Sequence, residues 1–229
     1  MRDDAVGANF GHNRRHDCHR LHNQGQILLD RHQLILGYRR AREQNPSRLQ
    51  TGIPPEGLRH AAVLVPVLDR PEGLRLLLTQ RAAHLKHHAG QISFPGGRVE
   101  TNDASPLATA LREAEEEIGL RPNQVEVLGP LPSHITTVSG FYIQPYLGIV
   151  HHYVQGEYDQ NEVHSVFDVP LNWVLDPHHH TPHKVIWQGR EREFYEILFE
   201  ERRIWGATAG MIVTLAHLLG LTSQPAPQW

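Results

Sequence analysis

Residues 94–120 read FPGGRVETNDASPLATALREAEEEIGL, which sets a glycine turn ahead of a run containing Glu113, Glu115, Glu116 and Glu117. Advancing about 100° per residue, Glu113, Glu116 and Glu117 share one helical face, spread over roughly 100°, while Glu115 lies apart. Carboxylates at i, i+3 and i+4 repel one another by a few tenths of a kcal/mol per pair unless a cation sits between them. Hard oxygen ligands of this kind suit Mg²⁺ or Mn²⁺. An acidic helix face can equally be a solvated one. What separates the two readings here is the company the run keeps: the Gly96-Gly97 turn before the helix and Arg112 at the head of the carboxylates.

The elements that must position these residues are marked in the sequence. Ser105 is a good N-cap, Pro106 fits the first helical position, and Gly119 followed by Pro122 ends the helix. Leu107, Leu111, Ala114 and Ile118 fall within roughly 60° of one another and form the expected buried stripe, with the carboxylates on the far side. Upstream, residues 61–68 and 74–79 read as two strands joined by turn residues 69–73. Downstream, strands are expected at 125–131, 142–150, 163–169, 184–188 and 193–199, and residues 207–219 read as a mostly apolar helix. Residues 26–43, with Leu28, Leu29, Ile35, Leu36 and Tyr38, are compatible with an amphipathic helix, which NPSRLQTGIPPEG then breaks. Strands and helices without regular βαβ alternation, and without an internal repeat, indicate an α+β chain built as an α/β/α sandwich on a mixed β-sheet.

The stretch from Arg112 to Leu120 resembles the second half of the box of the Nudix hydrolase family: Arg-Glu-apolar-any-Glu-Glu-any-Gly-apolar. The first half departs by one residue. Five residues separate Gly97 from Asp103, which stands where the family usually has Glu, but eight rather than seven separate Asp103 from Arg112. An extra residue inside a helix would rotate its face, so the insertion belongs in the loop before Pro106, and Asp103 is given no ligand role. The departure resembles the coenzyme A pyrophosphatase branch of the family. So does the preceding stretch, where that branch carries LLTxR, a basic residue, a glycine and FPGG: here Leu77, Leu78, Thr79, Gln80, Arg81, Lys86, Gly90 and Phe94-Pro95-Gly96-Gly97. Ser139-Gly140-Phe141 with Pro145, and Trp205-Gly206-Ala207-Thr208-Ala209-Gly210, extend the resemblance over about residues 59–220.

The resemblance implies a Nudix-type sandwich that uses a divalent cation, Mg²⁺ or Mn²⁺, to hydrolyse a nucleoside diphosphate linked to another moiety. For the coenzyme A branch the products would be 3′,5′-ADP and 4′-phosphopantetheine or its acyl form. Glu113, Glu116 and Glu117 are then the metal ligands, and Glu116 and Glu117 belong to the catalytic set with Arg112, which orients the carboxylates. Glu162, in the loop GEYDQNEVHSVF, is the candidate general base, because several Nudix enzymes carry a catalytic glutamate in that region. Arg81 and Lys86 are the candidates for substrate phosphate. Lys86 stands where the branch usually has Arg, and so offers a point charge in place of a bidentate fork. Gly96 and Gly97 complete the substrate turn, and Phe141 or Tyr142 offers a ring for adenine, with Phe141 the candidate. ADP-ribose, NADH or a damaged nucleotide would be alternative substrates. A non-catalytic Nudix domain that senses a nucleotide is a reading of another class.

Composition bounds the rest. With 229 residues, 39% hydrophobic and 21% charged, the chain has the make-up of an ordinary globular protein. Its longest apolar stretch, residues 61–68, is far short of the ~20 residues of a bilayer-spanning helix, so no membrane partner is expected. The first residues lack an apolar core with a cleavage site, and a single cysteine, Cys18, fits a reducing compartment, so a cytoplasmic location is expected. The formal charge of −3 is offset by 18 His, each about a quarter protonated at pH 7, which brings the net charge near zero. That excludes a broad nucleic-acid footprint and leaves a small molecule, coenzyme A or a related nucleotide, as the expected partner. No feature of the chain specifies an oligomeric state. Residues 1–24 read as a flexible His-rich tail, with His12, His16, His19 and His22 around Cys18 in no zinc-finger spacing. Residues 25–57 would be a helix and linker, 58–220 the Nudix-like domain, and 221–229 a short tail. His178, His179, His180 and His183 read as parts of a solvent-exposed loop.

Overall fold

The computed structural model describes residues 29–85, 88–136, 139–154, 156, 158–187 and 189–222. The His-rich tail and Lys86 lie outside the described residues. In chain order the elements are α1 (Arg31–Gln44), β1 (Arg59–Arg70), β2 (Gly73–Arg81), β3 (Ile92–Ser93), β4 (Gly96–Arg98), α2 (Pro106–Ile118), β5 (Val125–Pro130) and β6 (His134–Thr136). They continue with β7 (Phe141–Val150), β8 (Val163–Pro170), α3 (Leu171–Val174), β9 (Thr181–Trp187), β10 (Arg190–Phe199), β11 (Arg202–Trp205) and α4 (Ala207–Leu218).

The near-continuous apolar run of β1 is explained by its place in the middle of the sheet, where both faces are covered. Its alternating side chains divide between two cores. Ala62, Leu64 and Leu68 pack with Leu77 and Tyr146 against Ala110, Ala114 and Ile118 of α2. Val63, Val65 and Val67 pack on the other side with Leu34 and Tyr38 of α1 and Ile212 and Leu215 of α4. These two layers make the α/β/α sandwich. The eight-stranded sheet runs β3-β2-β1-β7-β5, with β4 added to β1, β6 to β7 and β8 to β2. β1 and β7 run parallel, in register from Arg59↔Phe141 to Leu68↔Val150, and the other pairings are antiparallel, so the sheet is mixed. A separate antiparallel sheet, β11-β10-β9, stands beside α4.

Local chemistry shifts some boundaries from expectation. α1 begins at Arg31 because Asp30 forms a reciprocal cap: Gln33 N donates to Asp30 Oδ1 (2.8 Å) and Asp30 N donates to Gln33 Oε1 (3.0 Å). The following linker is strapped to the sheet, with Thr51 Oγ1 2.8 Å from Tyr146 Oη and Gly52 N donating to Gln144 Oε1 at 3.0 Å. The histidines at 178–183 are not one exposed loop. Only His178 is open to solvent; His179 stacks on Trp173 at 3.9 Å, His180 Nε2 lies 2.8 Å from Val174 O, and His183 stacks on Phe194 at 5.1 Å. An aromatic ring on α3 covers His179, and one on the neighbouring strand β10 covers His183. Among the described residues no helix is long and apolar enough to cross a membrane.

Candidate active site

The helix α2 starts and stops where its sequence dictates. Ser105 Oγ accepts from Ala108 N at 3.2 Å, Pro106 takes the first turn, and Gly119 closes the helix in the left-handed region at φ 68°. Its carboxylate face, however, is covered at Glu117 and open to solvent only at Glu116. The buried residues of α2 are Thr109, Ala110, Ala114, Glu117 and Ile118, whereas Leu107 and Leu111 are only half-buried. Small Ala110 and Ala114 let the helix approach β1 closely, and β4 then passes over the acidic side. The residue is left 5% exposed at Glu117.

The glycine pair is required by this approach. A Cβ on Gly96 would lie 2.6 Å from Val63 Cα, and one on Gly97 would fall inside the Glu113 carboxylate. With no side chain in the way, Gly96 N donates to Glu117 Oε2 at 3.3 Å. Replacing Gly97 by Ala is therefore expected to displace Glu113 and lower turnover by about tenfold or more while leaving the fold intact, the scale on which misplacement of a catalytic group costs rate. Circular dichroism with steady-state kinetics checks it, and full activity in a folded Gly97→Ala protein counts against Glu113 as a site residue.

Arg112 is saturated by carboxylates of its own neighbourhood. Its Nε and Nη2 grip Asp103 at 3.0 and 3.1 Å, and its Nη1 sits 2.9 Å from both Glu113 Oε1 and Glu116 Oε2. Asp103 also accepts from Glu100 N at 2.9 Å and Thr109 Oγ1 at 2.8 Å. Asp103 is thus the anchor of Arg112, a role that sequence spacing did not reveal. The bidentate Arg112 bonds and the Glu100 amide hold its carboxyl well below the usual range. A lowered folded-state value means stability that is present above the unfolded value and lost as pH falls. Asp103→Asn is expected to cost about 1.5–3 kcal/mol at pH 7, with the gap to wild type closing below about pH 3. Thermal melts across pH test this, and an undiminished gap in acid would place the cost elsewhere.

Two further groups reach the carboxylates from β2 and β8. Arg81, at the end of β2, brings Nη1 to 3.9 Å from Glu117 Oε1. The loop before β8 docks on the C-terminus of α2, where Asp159 N donates to Glu117 O (3.1 Å) and Tyr153 Oη to Ile118 O (3.2 Å). Ala82 N then donates to Glu162 O at 2.8 Å, which sets Glu162 beside the end of β2. Its charge acts on both Glu113 and Glu117. Glu113, Glu116, Glu117, Arg112, Arg81, Gly96, Gly97 and Glu162 are therefore brought to one region. Phe141 is not: it leads β7 on the sheet face opposite to Tyr142, and the Arg59 guanidinium covers its ring at 4.0 Å.

The electrostatics of the cluster suit a divalent cation. Burial, then repulsion by Glu113, pushes the Glu117 carboxyl up to about 8, against the partial relief given by Arg81 and Gly96 N. Burial also pushes Glu113 up, in spite of Arg112. A carboxylate buried with one long amide bond and a guanidinium at 3.9 Å is under-compensated, and a hard divalent ion is the counter-charge its oxygens fit. Arg112 draws Glu113 and Glu116 together while Glu117 turns to Gly96, and among the described residues no three acidic or imidazole side chains converge on one point.

This imbalance has a measurable sign. A folded-state value raised from 4.5 to about 8 means that Glu117 favours the fold fully below pH 4.5 and that this contribution is lost as pH rises towards 8. The metal-free protein is expected to lose melting temperature over that window relative to Glu117→Gln, by at least ~3 °C, and added divalent cation should restore most of it at pH 8. Parallel pH profiles of the two proteins would expose a constant gap, which would exclude Glu117 as the titrating group.

A family model of the NUDIX domain matches residues 58–188. The chain is 41% identical over 175 residues to an uncharacterized Nudix hydrolase, NudL, of Shigella flexneri, an alignment covering 76% of this chain and 90% of that protein. It is 42% identical over 163 residues to NudL of Escherichia coli K12, covering 71% and 84%. Among solved structures it is similar to the NUDIX domain of Shewanella oneidensis NrtR complexed with ADP ribose, at TM-score 0.41 and 21% identity over 58% of this chain and 85% of that one. With the matched segment enclosing α2, the glycine pair and Arg81, the chain belongs to the Nudix hydrolase family, whose members cleave pyrophosphate bonds of nucleoside diphosphate derivatives with the help of divalent metal ions.

Proposed function

We propose that this protein is a cytoplasmic pyrophosphohydrolase that cleaves coenzyme A or its derivatives to 3′,5′-ADP and 4′-phosphopantetheine or the acyl form, with Mg²⁺ or Mn²⁺ as cofactor. The observation that carries the reading is the course of residues 77–97. The stretch whose residues resemble the coenzyme A branch folds as β2, a loop, β3 and β4, and its two ends, Arg81 and Gly96, both meet Glu117.

Glu113, Glu116 and Glu117 would hold the cation, which when bound supplies Lewis-acid neutralisation of the pyrophosphate oxygens and activation of water. Arg112, fixed by Asp103, orients Glu113 and Glu116 and is engaged by three carboxylates of its own chain. Arg81 would offer a guanidinium to a pyrophosphate oxygen beside Glu117, and Lys86, five residues later in the sequence, would add a second charge. Glu162, which is exposed and whose charge acts on Glu113 and Glu117, would accept the proton of the attacking water. Mass spectrometry of coenzyme A incubated with protein and Mg²⁺ or Mn²⁺ tests the reading. Products at the masses of 3′,5′-ADP and 4′-phosphopantetheine are expected, whereas intact coenzyme A beside cleaved ADP-ribose or NADH would move the substrate to another nucleoside diphosphate derivative.

A further inference from the structure

A second concave region lies between β11 and the loop that leads into β3. It encloses about 800 Å³ and is lined by Gln80, Gln91, Arg202, Arg203 and Trp205, with Glu200 and Glu201 also in its wall. The volume is within the ~300–1,000 Å³ of small-molecule sites. Two guanidiniums in this groove are backed by aromatic rings: Arg202 lies 4.0 Å from the centre of Phe167, and Arg203 5.1 Å from that of Trp205. A ring on one side orients a guanidinium and leaves its other side to a second planar group. Arg202 is fixed further by Nη1 donating to Gln80 Oε1 at 3.4 Å. Gln80 is itself pinned by Ser165 Oγ (3.3 Å) and by its own Nε2 bond to Gly90 O (3.4 Å).

Charge decides what would enter. Arg203 is paired with Glu196, and Glu200 and Glu201 stand in the wall near Arg202, so the groove has no excess of positive charge. A phosphate gains little there. An uncharged flat ring with donors and acceptors along its edge gains stacking on the guanidinium, hydrogen bonds with the Gln91 amide, and carboxylates that accept from its own N–H groups. We propose that the groove binds the purine base of the nucleoside diphosphate substrate, stacked on Arg202. The groove adjoins the cluster at α2, because Arg81 N donates to Gln91 O at 2.9 Å and Gln80 and Arg81 are consecutive at the end of β2. Base and pyrophosphate would thus lie at neighbouring residues of that strand's end, where the β2–β8 register shifts. The inference rests on the reading of the chain as a hydrolase of nucleoside diphosphate derivatives, and not on coenzyme A being the derivative.

Adenosine, which has a base and no phosphate, is the probe. Its affinity for the full chain in Mg²⁺ buffer, followed by heteronuclear NMR titration, is expected to be about tenfold weaker in both Arg202→Ala and Arg202→Lys, the loss typical of one stacking partner. The lysine variant keeps the charge and removes the plane, and unchanged thermal melts establish that both are folded. Adenosine that fails to bind the wild type, binds Arg202→Ala equally well, or is held normally by Arg202→Lys overturns the assignment. In parallel, KM for whichever substrate is cleaved should rise about tenfold in Arg202→Ala with kcat within threefold. Because the adenosine titration needs no turnover, adenosine binding in a protein inert towards coenzyme A keeps the groove and discards that substrate. Cleavage of coenzyme A with an unchanged KM in the variant does the reverse.

Discussion

Glu117→Gln is expected to lower turnover by at least ~10²-fold at saturating cation, the scale lost when a principal electrostatic group is removed, while the protein keeps its fold. The amide reproduces the shape of a side chain that is 5% exposed and still offers an oxygen to Gly96 N. It removes only the charge. In the metal-free protein that charge is a liability, since burial and Glu113 already hold the carboxyl near 8, so the variant should melt higher than wild type above neutrality. Loss of activity with gain of metal-free stability is the signature of a group kept for function. Glu116→Gln should also lose at least ~10²-fold, but with little gain in stability, because Glu116 is 60% exposed and already paired with Arg112. Stopped assays over a cation titration, read with thermal melts, check both. Wild-type turnover of both variants at low cation would dissociate α2 from the metal.

The contrast between these two glutamates shows where the sequence is legible and where it is not. The ends of α2 were readable because Ser105, Pro106 and Gly119 act through bonds within one or two turns. The burial of Glu117 was not, because helical periodicity assigns polar residues outward, and what covers Glu117 is β4, a three-residue strand. β3, β4 and β6 carry no alternating pattern of their own. They are strands because β1, β2 and β7 offer them edges, and such pairing is a property of the folded sheet. β11 escaped notice for the same reason. Its Arg202 and Arg203 look like surface charge until Phe167 and Trp205 are seen behind them. Asp103 presents the opposite case. Its offset in the box argued against a ligand role, and the structure supplies what it does instead, since it grips Arg112 from a loop residue nine positions earlier in the chain. The doubly covered β1 and the apolar α4 were legible throughout, because full burial leaves little room for polar residues.

Arg81→Ala carries the second large effect. A contact of Arg81 with the 3′-phosphate that coenzyme A has and ADP-ribose lacks would make its loss selective. The geometry places the guanidinium 3.9 Å from Glu117 Oε1, at the carboxylates, where the shared pyrophosphate would lie. A charge-assisted contact there is worth about 1.5–3 kcal/mol, so kcat/KM should fall roughly ten- to a hundredfold. The fall should be the same for coenzyme A and for dephospho-coenzyme A. A second consequence follows from the charge. Arg81 holds the Glu117 carboxyl down, so its removal pushes that carboxyl further up, and at pH 7 protons compete more strongly with the cation. The cation concentration for half-maximal rate should therefore rise in Arg81→Ala and fall back as pH is raised towards 9. Kinetics on the two substrates across cation and pH separate the possibilities. A loss at least fivefold greater on coenzyme A than on its dephospho form would return Arg81 to the 3′-phosphate, and an unchanged cation requirement would detach it from Glu117.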